Sequence, residues 1–200
     1  MRIRLVVLTL LALAAGACAV PVDVTGEAGP TASAAPAPTV ADPAATTRKS
    51  PARRPPPGIL PEARRKPAPT LRVTAFDGRT VTLDGLRGRP VVVSFFESWC
   101  GVCQVEQPDL TKVSDEYAGR AGFVGISYHD TVAAGRAYQR RFRISYPLAN
   151  DPSGKTWARW GVAYQPVVVL VDTQGRVAER FDGGTTGGTL RAALAYLTSE

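Results

Sequence analysis

The feature that most constrains this chain is an apolar run at residues 91–96, Val-Val-Val-Ser-Phe-Phe, followed closely by Trp99-Cys100-Gly101-Val102-Cys103. A run of that length without polar alternation suits a strand buried on both faces. Beyond Cys100 the pattern is helical to about Tyr117, with Pro108 expected to kink it. A strand, a Cys-x-x-Cys and a helix in that order form the layout of a thiol–disulfide site. If the helix begins at Cys100, that thiol meets unpaired backbone N–H groups and the helix dipole, which favour a thiolate. The thiolate is the nucleophile of disulfide exchange. Cys103, three residues on, lies on the same side and within disulfide reach.

The rest of the chain divides by composition. Of its 17 prolines, 12 fall between Pro21 and Pro69, in a stretch of Pro, Ala, Thr and Arg with few large apolar residues. Such a stretch buries too little surface to offset its ordering entropy, so residues 18–69 read as a disordered tether. Residues 70–200 then form one domain of ordinary size. The net charge of +7 is concentrated in the tether, at Arg48, Lys49, Arg53, Arg54, Arg64, Arg65 and Lys66. That cluster reads as a solubilising linker or as a patch attracted to anionic headgroups or wall polymers. The nearly balanced domain offers nothing for nucleic acid.

The first 17 residues read as a signal peptide: a basic start at Arg2 and Arg4, an apolar segment at 5–15, and a small-residue site at Ala15-Gly16-Ala17. Cys18 follows at once, and Ala-Gly-Ala-Cys resembles a bacterial lipobox, with Ala15 where Leu is usual. That resemblance implies lipidation of Cys18. Ordinary cleavage after Ala17, or an uncleaved anchor over residues 5–22, are the other two readings. A single acyl chain holds a protein only marginally, so firm anchoring needs several. A tether of this length lets the domain range on the order of 40 Å from its anchor.

Within the domain, residues 71–76 and 79–83 read as a hairpin around Asp77-Gly78. Residues 122–128 and 167–172 read as buried strands, and 176–181 as an antiparallel neighbour turned by Thr173-Gln174-Gly175. Asp130-Thr131 can cap a helix to about Phe142. Residues 153–160 suit a short helix closed by Gly161, and 186–197 a final amphipathic one. Strands alternate with helices, so the class is α/β.

These residues resemble the thioredoxin superfamily, in its extracytoplasmic TlpA/ResA/DsbE-like branch. The resemblance spans 70–200 and is carried by Gly88-Arg89-Pro90 with the run after it, Ser98-Trp99-Cys100-x-x-Cys103-x-x-Glu106-x-Pro108, Gly161-Val162-x-x-Gln165-Pro166, and 169–175. It implies a thioredoxin-like fold, a central mixed sheet flanked by helices, with the hairpin as an N-terminal extension. It implies Cys100 as the exposed attacking cysteine, Cys103 as the buried resolving one, and Pro166 as a cis-proline beside the pair. Gln165 would then pair with a substrate strand, and Trp99, Gly101 and Val102 would also contact substrate. Read from the sequence, a trans Pro166 opening its strand is the alternative. Glu106 matches an acidic residue that relays protons for the thiols, the alternative being a solvated helix glutamate.

The resemblance implies no metal or organic cofactor, only a redox-active Cys100–Cys103 disulfide. Its implied partners are exported protein thiols or disulfides, apocytochrome c among them, and a membrane redox donor or acceptor. The implied form is a monomer, secreted or lipid-anchored at the cell membrane. Gly101-Val102 stands where thioredoxin has Gly-Pro, a dipeptide that tunes the potential. Glu97, three residues before Cys100, reads as a rim residue facing water; brought close, it would raise the thiol pKa. Trp157 and Trp160 read as core, and Tyr164 as a candidate rim residue.

Two rival functions share this fold. A peroxidase of the peroxiredoxin type needs Thr or Ser three residues before its cysteine, and Glu97 stands there. A Sco-like copper-binding module spaces its cysteines by three residues and adds a distant histidine. Here the spacer is two, and the one histidine, His129, reads as an ordinary loop residue. Zinc would lack further ligands.

Overall fold

The structure, a computed structural model, describes residues 54–200. The signal segment, Cys18 and most of the expected tether lie outside the described residues. The central sheet has five strands: β3 (Val91–Phe95), β4 (Gly122–Ser127), β5 (Leu148–Asn150), β6 (Val167–Val171) and β7 (Val177–Asp182), in the order β5-β4-β3-β6-β7. β3, β4 and β5 run parallel; β6 is antiparallel to β3, and β7 to β6. A separate hairpin pairs β1 (Arg72–Thr74) with β2 (Thr80–Thr82), shorter than expected, through a turn in which Gly78 has φ +90°. The helices are α1 (Gly101–Glu116), α2 (Val132–Arg141), α3 (Lys155–Arg159) and α4 (Gly187–Leu197). No helix among the described residues is long and apolar enough to cross a membrane.

Period-two alternation sorts the strand residues into two cores. Val92, Val168 and Leu170 pack against Cys103, Leu110 and Val113 of α1, Tyr138 of α2, and Leu190 and Leu194 of α4. Val91, Val93, Phe95, Val167, Val169 and Val171 pack against Val73 and Val81 of the hairpin and against Trp157 and Trp160. Phe95 meets both tryptophans at ring distances of 5.8 Å, so these indoles are core. Such two-sided cover explains why β3 and β6 lack any polar face.

The packed chain begins earlier than the expected boundary at residue 70. Ile59 is buried, and residues 60–68 form a strap along β7 and its turn, through Leu60 N–H to the Ala178 carbonyl, Val177 N–H to Lys66 and Ala68 N–H to Gly175. Arg65 locks it. Its side chain is fully buried and donates to Leu60 carbonyl, Asp172 and, with two bonds of 2.7 Å, the Glu200 carboxylate. Composition counts Arg65 as linker charge, whereas here it joins the strap, the β6–β7 turn and the last residue.

Candidate active site

β3 delivers the chain to the sheet's carboxyl end, and Cys100 caps α1. Its backbone is extended, and its sulfur accepts the Cys103 N–H at 3.1 Å. One of the four N–H groups that a helix start leaves free is therefore aimed at this sulfur, in the position that stabilises a thiolate. Cys100 and Cys103 are joined as a disulfide with Cα atoms 5.3 Å apart. The expected contrast in exposure is small: Cys100 is 8% exposed and Cys103 3%. The solvent-facing surface lies instead on their neighbours Trp99, Gly101 and Val102, with Val105 and Tyr164 also exposed. α1 continues through Pro108 for 16 residues.

Beneath the pair, the Tyr138 hydroxyl donates to the Cys103 carbonyl at 3.1 Å, and the Tyr138 ring stacks on Phe96 with centroids 4.9 Å apart. Gln107 joins this layer, donating to the Tyr146 hydroxyl. Neither Tyr138 nor Gln107 carries a motif-level signal; each is found through the fold.

Glu106 lies one helical turn after Cys103, on the same face. It is buried rather than solvated: Oε1 accepts the Thr185 N–H at 2.7 Å, while Oε2 has no partner. Burial pushes its carboxyl up to about 6, the Thr185 bond pulls back, and the charge of Asp109 adds to the rise. The Gln165–Pro166 peptide is cis. The Gly183 N–H donates to the Pro166 carbonyl, tying the β7–α4 loop to that turn. Gly184, at φ +102°, sits where a side chain would be strained and crowded: a Cβ there would stand 3.0 Å from Glu106 Oε2 and 3.2 Å from Pro166 Cγ. Glu106 and Pro166 therefore meet across this glycine. A cavity of about 230 Å³ opens beside them, lined by Val102, Val105, Glu106, Asp109 and Thr185.

One residue differs from its sequence reading. Glu97 is not on a water-facing rim. Its side chain is fully buried because Oε1 accepts the Tyr128 and His129 N–H groups, at 3.0 and 2.9 Å. Burial raises its pKa, opposed by those two bonds. Within the expected Asp130-Thr131 cap, Thr131 is the residue that caps α2, accepting the Ala134 N–H. Asp130 instead accepts the Ser98 N–H and hydroxyl. Among the described residues, no three His, Cys, Asp or Glu side chains gather as metal ligands would.

The AhpC/TSA family model matches residues 65–180, more than half of the chain. The chain belongs to the AhpC/TSA family. A curated relative, the thiol-disulfide oxidoreductase ResA of Bacillus thuringiensis, is 27% identical over 134 residues, covering 66% of this chain and 78% of that protein. Among solved structures, a secreted Mycobacterium tuberculosis disulfide oxidoreductase homologous to E. coli DsbE superposes with a TM-score of 0.58 at 26% identity, covering 64% of this chain and 96% of that one. A secreted thiol-disulfide isomerase from Corynebacterium glutamicum gives 0.65 at 25% identity, covering 71% and 91%. With the sheet order and the Cys100–Cys103 pair, these similarities mark a thioredoxin-fold protein of the TlpA/ResA/DsbE-like branch.

Proposed function

We propose that this chain is an extracytoplasmic thiol–disulfide oxidoreductase acting on exported proteins. The observation that carries the reading is the Cys100 sulfur, bonded to Cys103 and receiving a backbone N–H at the start of α1. In the reduced form the Cys100 thiolate attacks a substrate disulfide, expels one substrate thiolate and forms a mixed disulfide. Cys103 gives up its proton and attacks the Cys100 sulfur, releasing the second substrate thiolate. The substrate gains two electrons and the enzyme loses them; oxidation runs the same steps backwards. Glu106, on the same helix face as Cys103 and with one oxygen unpartnered, is the group that takes or returns the resolving proton. Substrate lies over Trp99, Gly101 and Val102 and pairs with the backbone at Gln165, before cis Pro166; exposure of the first three supports this.

The secreted relatives support an extracytoplasmic site of action. In this reading residues 1–17 are removed, Cys18 is lipidated, and the Pro-rich stretch tethers a monomeric domain to the membrane. A membrane redox protein recharges the pair, and apocytochrome c is one substrate. A potential near −270 mV, about that of thioredoxin, marks a reductase; one near −120 mV, about that of a strong oxidant, an oxidase. Peroxide chemistry is disfavoured because Glu97 fills the position that would orient a peroxide.

The test is turnover. The reduced protein should accelerate dithiothreitol-driven reduction of a model disulfide substrate, and Cys100→Ser should abolish this. Retention of the rate by that variant, or consumption of peroxide in preference to disulfides, would overturn the reading.

A further inference from the structure

Residues 131–145, which hold α2 and its exit, include four arginines and no Asp or Glu. Arg140 and Arg141 lie in the last turn of α2, where a cation complements the helix dipole. Arg143 lies past that turn. The chain closes there as a Schellman motif: the Arg143 N–H donates to the Arg140 carbonyl and the Ile144 N–H to the Gln139 carbonyl. Arg143 takes φ +52°, a left-handed position that glycine fills at least cost. Among the described residues it is the one non-glycine with a positive φ, and its side chain is exposed. A strained backbone that glycine would relax carries a guanidinium that the fold does not use.

Beside it a groove of about 570 Å³ runs between α1 and the exit of α2. Pro108 and Phe142 give it apolar surface, and Lys112, Arg141 and Arg143 give it positive charge. Among the described residues none of these three cations forms an ion pair. Asp115 and Glu116, in the last turn of α1, also line it, at the end farther from the cysteines; the Ser145 hydroxyl engages the first at 2.9 Å and Arg191 the second at 3.0 Å. The near end reaches the redox pair. Arg141 lies 4.9 Å over the Phe142 ring and donates to Gln104 Oε1 at 3.0 Å, and Gln104 Nε2 donates to the carbonyl of Ser98, which precedes exposed Trp99. Glu106, two residues from Gln104, lies on the opposite face of α1 with Asp109 in the smaller cavity, so the two rims of the pair differ in sign.

We propose that this groove docks an acidic segment of the protein whose disulfide is exchanged, with Arg141 and Arg143 as its charged contacts. The inference rests on the proposed exchange at Cys100. From Cys100 to Pro108 the helix rises about 12 Å, which about four residues of extended chain can span. The acidic residues therefore stand about four positions from the substrate cysteine. A flat anionic membrane would also press on Asp115 and Glu116, whereas a peptide can end before them.

The test is the rate at which the reduced full chain opens the disulfide of two synthetic peptides that differ only in a short run about four positions from the cysteine, Asp and Glu in one, Asn and Gln in the other. At about 10 mM salt, where the screening length is about 30 Å, the acidic peptide should react about tenfold faster. The ratio should fall toward one by about 1 M salt, where that length is about 3 Å. Arg143→Gly relaxes the turn and should lower the low-salt ratio severalfold, as should Arg141→Gln; any general loss of rate cancels in the ratio. Arg143→Lys, which keeps the charge, should keep the ratio. A wild-type ratio near one, or a ratio that both Arg143→Gly and Arg141→Gln leave unchanged, overturns the proposal. A ratio near one together with binding to phosphatidylglycerol vesicles that Arg143→Gly abolishes overturns it in favour of a membrane contact. No reaction with either peptide fails the oxidoreductase reading, whereas reaction without preference fails this inference alone.

Discussion

Glu106→Gln removes a charge from beneath the Gly183–Gly184 loop while keeping the shape of the side chain. Burial raises the Glu106 carboxyl from 4.5 to about 6, with only the Thr185 N–H bonded to it and Oε2 unpaired. The folded state holds this proton more tightly than the unfolded chain. Its stabilising effect is therefore fully present below about pH 4.5 and is lost as pH rises through about 6. At about 1.4 kcal/mol per pH unit, the ceiling is about 2 kcal/mol. For a folded body of this size that corresponds to about 4–8 °C in melting temperature. Thermal unfolding of the disulfide form from pH 4.5 to 8, followed by circular dichroism, reads the difference between wild type and variant. Other groups titrate alike in both proteins and cancel. The variant should gain on wild type by about 2 kcal/mol across that range. A constant gap, or one that moves the other way, would refute the buried-carboxyl argument.

Other sites yield equally direct expectations. Gly184→Ala forces a Cβ toward Glu106 and Pro166 at a positive φ, so it should cost about 1–3 kcal/mol and lower the exchange rate severalfold; unchanged turnover would contradict a loop packed over the site. Arg65→Met leaves Asp172 and Glu200 without their buried partner and should cost about 3 kcal/mol in urea unfolding. A loss below about 1 kcal/mol would mean that the strap is not locked there. Glu179 on β7 lies buried against Gly58, and burial alone raises its carboxyl to about 7. Wild type should therefore lose stability relative to Glu179→Gln as pH rises from 4.5 through 7, read as diverging urea midpoints; parallel midpoints would contradict it.

The site and the fold differ in how far they could be read from the chain. The strands at 91–95, 122–127 and 167–171 were legible because apolar runs without alternation have few other uses. Cys100 was legible as a helix start because its motif combines chemistry with local geometry. β5, Leu148–Asn150, is three residues behind Pro147, too short for any periodicity to show. The strap at 60–68 was missed because it is held by backbone bonds and one buried guanidinium, neither of which composition registers. Glu97 was misplaced for a related reason. Its burial depends on N–H groups more than thirty residues away, brought close only by the parallel pairing of β3 with β4.

The central claim is that Cys100 carries the exchange and Cys103 resolves it. The most direct measurement is mass spectrometry of Cys103→Ser after reaction with a disulfide-bonded substrate peptide. A stable mixed disulfide located at Cys100, absent from Cys100→Ser treated in the same way, is the predicted result. A covalent adduct that forms equally well in Cys100→Ser, through Cys103, would contradict the account.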